Sequence, residues 1–142
     1  MRIVFVASFS PIVTDLAAAR TFYAEQLGIP FEGGDDGYAF TEQLPGVKHL
    51  GLWPLTAAAD ACFGTSAWPD ELPRPQASLE LEVDDVAAAA AELRAAGHRL
   101  LHEPRTEPWG QTVARLLSDD GLLLAVCHTP HLRAGRHLDE QT

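Results

Sequence analysis

The sequence predicts an α+β domain made of two copies of a β-α-β-β-β unit, and three observations carry that prediction. Val13-Thr14-Asp15-Leu16-Ala17-Ala18-Ala19 is echoed by Val83-Asp84-Asp85-Val86-Ala87-Ala88-Ala89, 70 positions on, about half of the 142-residue chain. Leu79, Leu81 and Val83 alternate with Ser78, Glu80 and Glu82, the period-2 pattern of a half-buried strand. Turn signals, Gly33-Gly34-Asp35-Asp36-Gly37, Pro45-Gly46 and Asp119-Asp120-Gly121, separate short apolar runs after each copy of the motif.

The elements follow in order. A first strand is expected over about Arg2 to Ile12. Asp15 then stands where an acidic residue caps a helix or complements its dipole. Leu16, Ala19, Tyr23 and Leu27 recur at helical spacing, and Gly28 suits a left-handed C-terminal cap. Three strands, Pro30-Glu32, Gly37-Thr41 and Val47-Leu55, complete the first half (1–55). A linker (56–75) holds a short helix over Thr56 to Cys62 and a proline-rich polar stretch from Gly64 to Pro75. The second half (76–131) opens with a strand over Gln76 to Val83. Asp85 caps a helix carrying Val86, Ala89, Ala90 and Leu93 on one face and ending at Gly97. Strands over Arg99-Glu103, Gln111-Leu117 and Leu122-His128 close it. Residues 1–131 thus form one domain, and the polar tail 132–142 is expected to fray.

Composition narrows the function classes. The chain is long enough to bury a core without disulfides or a structural metal. Cys62 and Cys127 form no CxxC pair and read as free thiols in a reducing cytoplasm. No signal peptide and no apolar run of membrane-spanning length is visible. The net charge of -10 argues against a nucleic-acid partner, which needs a basic stripe, and suits a cationic small ligand or solubility alone.

Several segments together resemble the vicinal-oxygen-chelate superfamily of glyoxalase I, extradiol dioxygenases, fosfomycin-resistance enzymes and bleomycin-resistance proteins. They are Val13-Thr14-Asp15-Leu16 with Phe22-Tyr23 and Leu27-Gly28, then Val83-Asp84-Asp85-Val86 with Leu93 and Gly97. Glu107-Pro108-Trp109-Gly110-Gln111 through Ser118-Asp119-Asp120-Gly121 looks like the family's ending. The matches cover most of residues 3 to 128. The resemblance implies paired, strongly curved mixed sheets around a cup-shaped cleft.

In metal-dependent members each half gives one ligand from its first strand and one from its fourth. Those positions fall on Ser8, on or near His49, on Ser78 and on Ala125. Two hydroxyls and a methyl group do not replace imidazole and carboxylate, so no metal and no other cofactor is expected. The closest likeness in character is to the metal-free bleomycin-resistance-like binding proteins.

Strand phase indicates what lines the cup. Leu50 and Leu52 should pack on the helices, leaving His49, Gly51 and Trp53 inward, and Leu79 and Leu81 leave Ser78, Glu80 and Glu82 inward. Tyr38 and Phe40 share a face, and Trp109 and Gln111 begin a strand. The candidate ligand-binding set is therefore Ser8, Tyr38, Phe40, His49, Trp53, Ser78, Glu80, Trp109 and Gln111, with no catalytic residue assigned. Aromatic faces and a few polar groups suit a planar or cationic organic molecule. The plainer readings make Trp53 and Trp109 core or dimer-interface residues, His49 a structural histidine and Glu80 a solvated rim residue. A buried Glu80 should pair with His49, Arg115 or a cationic ligand.

The function expected is metal-independent sequestration of an aromatic or cationic compound, as in drug or antibiotic resistance. The alternative is a lyase, isomerase or other enzyme in the same cleft. A homodimer is implied by the resemblance alone, and no membrane partner is expected.

Overall fold

The computed structural model describes residues 1–33 and 38–134. Eight strands form one mixed, unclosed sheet in the order β2-β3-β4-β1-β5-β8-β7-β6. In the first half, β1 (Phe5–Val13) pairs in parallel with β4 (Leu50–Pro54), and β3 (Ala39–Thr41) lies between β4 and β2 (Glu32–Gly33). The second half repeats this with β5 (Ala77–Glu82), β8 (Leu122–His128), β7 (Thr112–Leu117) and β6 (Arg105–Thr106). The halves join where β1 and β5 run antiparallel. A register shift between Val6 and Ser8 bulges β1, which turns Ala7 and Ser8 toward the same side.

Side chains alternate between the faces, and each face takes its own helices. On the outer face, α3 (Val86–Ala95) packs Val86, Ala89 and Ala90 on Ala114 and Val126. On the inner face, Leu132 of α4 (Pro130–Ala134) covers Ala7, Val113, Ala125 and Cys127. Also on that face, Ala58, Ala59 and Cys62 of α2 (Leu55–Phe63) join Trp68, Trp53 and Leu123. Between α2 and α4 the inner face stays open. Asp15 and Asp85 each accept a hydrogen bond, from the Ala18 and Ala88 N–H groups at 3.0 Å, so the two motifs start their helices in the same way.

Three expectations change, and some fall on residues that are not described. The helix after Asp15 is α-helical only over α1 (Leu16–Arg20) and continues as a π-helical segment, Thr21–Gln26. The wider turn carries Leu27 off the apolar stripe, and its side chain is exposed. Arg99-Glu103 is not a strand. Pro104 follows it and lacks an N–H, and His102 Nδ1 turns back to the Glu103 carbonyl at 2.7 Å, so the edge strand starts at Arg105. The tail starts later than Leu132, because Leu132 is buried and Arg133 grips β5. Finally, the expected turn at Gly34-Asp35-Asp36-Gly37, the first residue of the Gly37-Thr41 strand and the tail from residue 135 onward lie outside the described residues.

Cys62 and Cys127 are free thiols, both buried. Among the described residues no helix is long and apolar enough to cross a membrane.

Candidate functional site

The open stretch of the inner face is a cavity of about 700 Å³. All nine residues singled out in the sequence line it, and those on β3, β4, β1 and β5 share the inner face of the sheet. Ser8 and Ser78 lie at its floor on β1 and β5, both buried. Ser10, two residues beyond Ser8 and opposite Ser78, belongs there too and was missed.

The first half supplies an aromatic wall. Tyr38, Phe40 and His49 stack nearly parallel, with ring centroids 5.3 to 5.9 Å apart. Tyr38 can lie across β4 because Gly51 has no side chain: a Cβ there would stand 2.3 Å from the Tyr38 hydroxyl oxygen. That hydroxyl meets His49 Nε2 at 2.6 Å, and His49 Nδ1 meets Glu42 Oε2 at 2.7 Å. Burial, with Glu80 adding to it, pushes the Tyr38 hydroxyl well above its ordinary value. The phenol therefore keeps its proton, and the tautomer in which it donates to Nε2 is the one in which Nδ1–H donates to Glu42. Glu42 Oε2 also meets His131 Nε2 of α4 at 3.3 Å. Glu42 was missed although the signal was present, since Tyr38, Phe40 and Glu42 follow the period of two. His131 carried no such signal, because the polar composition gave no reason to expect α4.

The second half supplies a polar wall. Glu80 is half-buried and accepts a hydrogen bond from Gln111 Nε2 at 2.9 Å, and Gln111 Oε1 accepts one from Trp109 Nε1 at 2.9 Å. This removes two of the three expected partners of Glu80, His49 and Arg115. His49 is engaged by Tyr38 and Glu42, while Arg115 donates to Glu107 at 3.2 Å. Among the described residues no cation forms an ion pair with Glu80. Trp109 stands at the mouth, 57% exposed. Trp53 lines the opposite part and faces the Arg115 guanidinium, whose Cζ lies 5.6 Å from the ring centre. Glu82, expected to face the cup, is on the correct side but sealed beneath α4. It accepts from the Thr129 N–H at 2.7 Å and pairs with Arg133 at 2.6 Å.

The donor set does not fit a divalent ion. Of the four positions, Ser8 and Ser78 offer hydroxyls and Ala125 is covered by Leu132, while both His49 nitrogens are engaged. Among the described residues no three of His, Cys, Asp and Glu are grouped so as to hold a metal.

Comparison with known proteins places this geometry in a family. Residues 6–126 match the sequence model of the Glyoxalase/Bleomycin resistance protein/Dioxygenase superfamily. No curated protein matches the chain. A solved member of that superfamily from Vibrio splendidus 12B01 is 16% identical, with 87% of this chain and 98% of that one covered and a TM-score of 0.57. A hypothetical protein from Bacillus halodurans C-125 is 19% identical, with 88% and 94% covered and a TM-score of 0.57. A methylmalonyl-CoA epimerase variant from Streptomyces coelicolor, solved with 2-nitronate-propionyl-CoA, is 20% identical, with 90% and 99% covered and a TM-score of 0.55. At these identities the likeness is one of fold.

Proposed function

Because the chain belongs to the Glyoxalase/Bleomycin resistance protein/Dioxygenase superfamily, and its cavity lacks that superfamily's metal donors, we propose that it binds and sequesters a planar cationic organic compound without a metal. The observation that carries this reading is Glu80, a carboxylate on the cavity wall that meets the neutral Gln111 amide and, among the described residues, no cation. A cation seated there gains a charge-assisted partner inside an enclosure of aromatic residues, Tyr38, Phe40, Trp53 and Trp109. The acidic surface raises the local concentration of such a ligand. The role is of the drug- or antibiotic-resistance kind, carried out in the cytoplasm. The protein acts as a homodimer, for which exposed Val6 and Phe9 on the outer face of β1 offer apolar surface.

The test is a tryptophan-fluorescence titration with 9-aminoacridine, a planar cation, followed by chromatography of the recovered dye. Saturable quenching with unchanged dye, weakened about tenfold in Glu80→Gln, is the expected result. Absence of binding, or equal affinity in the variant, overturns the reading. Metal content and thermal unfolding with added nickel, zinc, manganese and ferrous ion test the metal-free part. An ion bound at one per chain and raising Tm contradicts it.

A second reading is an isomerase or lyase in the same cleft. The Tyr38–His49–Glu42 chain favours it, because a hydroxyl backed by an imidazole and a carboxylate can carry a proton. A converted ligand, with turnover lost in His49→Ala, would select it.

A further inference from the structure

The floor of the cavity holds two hydroxyls without partners. Ser8 and Ser78 are 6% and 2% exposed and line the cavity, yet neither side chain forms a hydrogen bond among the described residues. Neither oxygen is sealed from the cavity: among the described residues the one sealed side-chain polar atom without a partner is Arg115 Nε. The carboxylate beside them is in a similar state. Gln111 Nε2 donates to Glu80 Oε1 and to Thr129 Oγ1, which uses both of its hydrogens. Glu80 Oε2 is left without a partner among the described residues, and it too opens on the cavity. Buried polar groups are nearly always satisfied, and one kept dry without a partner costs free energy.

Strand register makes a group of these three. Across β1 and β5, Ser8 stands opposite Glu80, and Ser10 opposite Ser78. Opposed residues hold their Cβ atoms about 5 Å apart. Ser78 is two residues before Glu80 on β5, so it faces the same side about 7 Å along the strand. A hydroxyl therefore neighbours the carboxylate in each direction, across the sheet and along it. A hydroxyl that turns its hydrogen to a carboxylate keeps its lone pairs for donors from the cavity. A cation without N–H groups would balance the charge of Glu80 and leave both hydroxyls dry. A planar cation with a fork of N–H groups satisfies the carboxylate and the hydroxyls together.

We propose that the charged group of the ligand is an amidinium or guanidinium set on this floor, with one N–H donating to Glu80 Oε2 and others to Ser8 Oγ and Ser78 Oγ. This rests on the reading of the cavity as a site for a planar cation. It adds the chemical class of the charge and the hydroxyls that select it.

The test compares two planar bicyclic cations: 2-naphthamidinium, which carries the N–H fork, and N-methylquinolinium, which has no N–H. The readout is the ratio of the two affinities, by calorimetry. The native protein is expected to bind 2-naphthamidinium about a hundredfold more tightly. Ser8→Ala combined with Ser78→Ala removes the two oxygens, and the ratio is expected to fall about tenfold. If the double variant does not fold, each single variant is read in the same way, with a fall of about threefold expected. Equal affinities in the native protein, or a preference for N-methylquinolinium, overturn the inference while the cationic site stands. A full preference that survives in a folded variant does the same. Failure of both cations to bind overturns the cationic site and this inference with it.

Discussion

Asp15 and Asp85 begin their helices with the same hydrogen bond, yet the two halves bury different things. After Asp85, α3 places Val86, Ala89 and Ala90 in a closed apolar cluster. After Asp15, neither α1 nor its π-helical continuation contains a buried residue, and Phe22 is exposed. The inner faces differ in the opposite sense. The first half devotes its cavity wall to stacked rings joined by hydrogen bonds. The second half carries buried charge, with Arg115 on Glu107 and Arg133 on Glu82. The two copies of the topology thus differ in content: the second carries the closed apolar cluster and the buried ion pairs, and the first carries the stacked aromatic wall of the cavity.

The largest effect that would break this comparison lies at Arg133. Glu82 is fully buried, and Arg133 is its cationic partner. Arg133→Ala should lower the free energy of unfolding by about 3–5 kcal/mol, because it leaves a buried carboxylate without a counter-charge. Glu82→Gln combined with Arg133→Met should restore most of the loss. Denaturant unfolding of the three proteins measures both. The position 70 residues earlier is Ile12, an apolar residue packed beneath α2, so the first half has no equivalent clasp. A loss below about 1 kcal/mol in Arg133→Ala would place the stability elsewhere.

A matched pair sharpens the contrast. Ala19 and Ala89 occupy the same place in the repeat, but Ala89 is 1% exposed inside its cluster and Ala19 is only half-buried. Ala89→Leu should cost about 1–3 kcal/mol through overpacking. Ala19→Leu should stay within about 0.5 kcal/mol. Equal costs would mean that α1 is packed as tightly as α3.

Much of this division could be read in the chain, and the parts that could not have physical reasons. The alternation in Ser78-Leu79-Glu80-Leu81-Glu82 fixed the inner face, and through strand pairing it brought Tyr38, Phe40, Trp53, Trp109 and Gln111 into one cavity. Glu42 follows the same period and was legible in principle. The partner of Glu80 was not, because Gln111 reaches it across β8 and only the fold sets that distance. Glu82 looked like its neighbour Glu80. Only α4, hidden in a polar terminus, separates a sealed carboxylate from an open one. The π-helical turn left no mark on the apolar spacing.

Gly51→Ala probes the aromatic wall. The new Cβ would stand 2.8 Å from Tyr38 Cζ as well as against its oxygen, so the ring must swing away and give up the 2.6 Å contact with His49. A loss of about 1–3 kcal/mol is expected, with a shifted His49 ring signal by NMR and weaker dye binding. An unchanged His49 signal would mean that the Tyr38–His49 contact does not organise the wall.

The smallest expected effect concerns His102, the second-half histidine beside Arg115. Burial, then the nearby Arg115 and Arg105 charges, hold its imidazole below the ordinary 6.5, against the opposing pull of the Glu103 carbonyl. Nε2 faces a guanidinium donor, so protonation there sets two donors against each other. A histidine with a lowered value in the folded state stabilises the fold fully above its unfolded value. That contribution is lost as pH falls, because the unfolded chain takes up the proton first. Stability should therefore decline from pH 7 toward the folded value by about 1 kcal/mol or less, the size of one net hydrogen bond. His102→Asn should flatten that limb of the profile. His49 meets the Tyr38 hydroxyl at Nε2, where His102 meets a guanidinium, and the Glu42 carboxylate at Nδ1, so His49→Asn should leave the decline in place. If instead His49→Asn abolishes the decline and His102→Asn does not, the pH-sensitive imidazole belongs to the recognition wall, and the division between the halves fails at its electrostatic end.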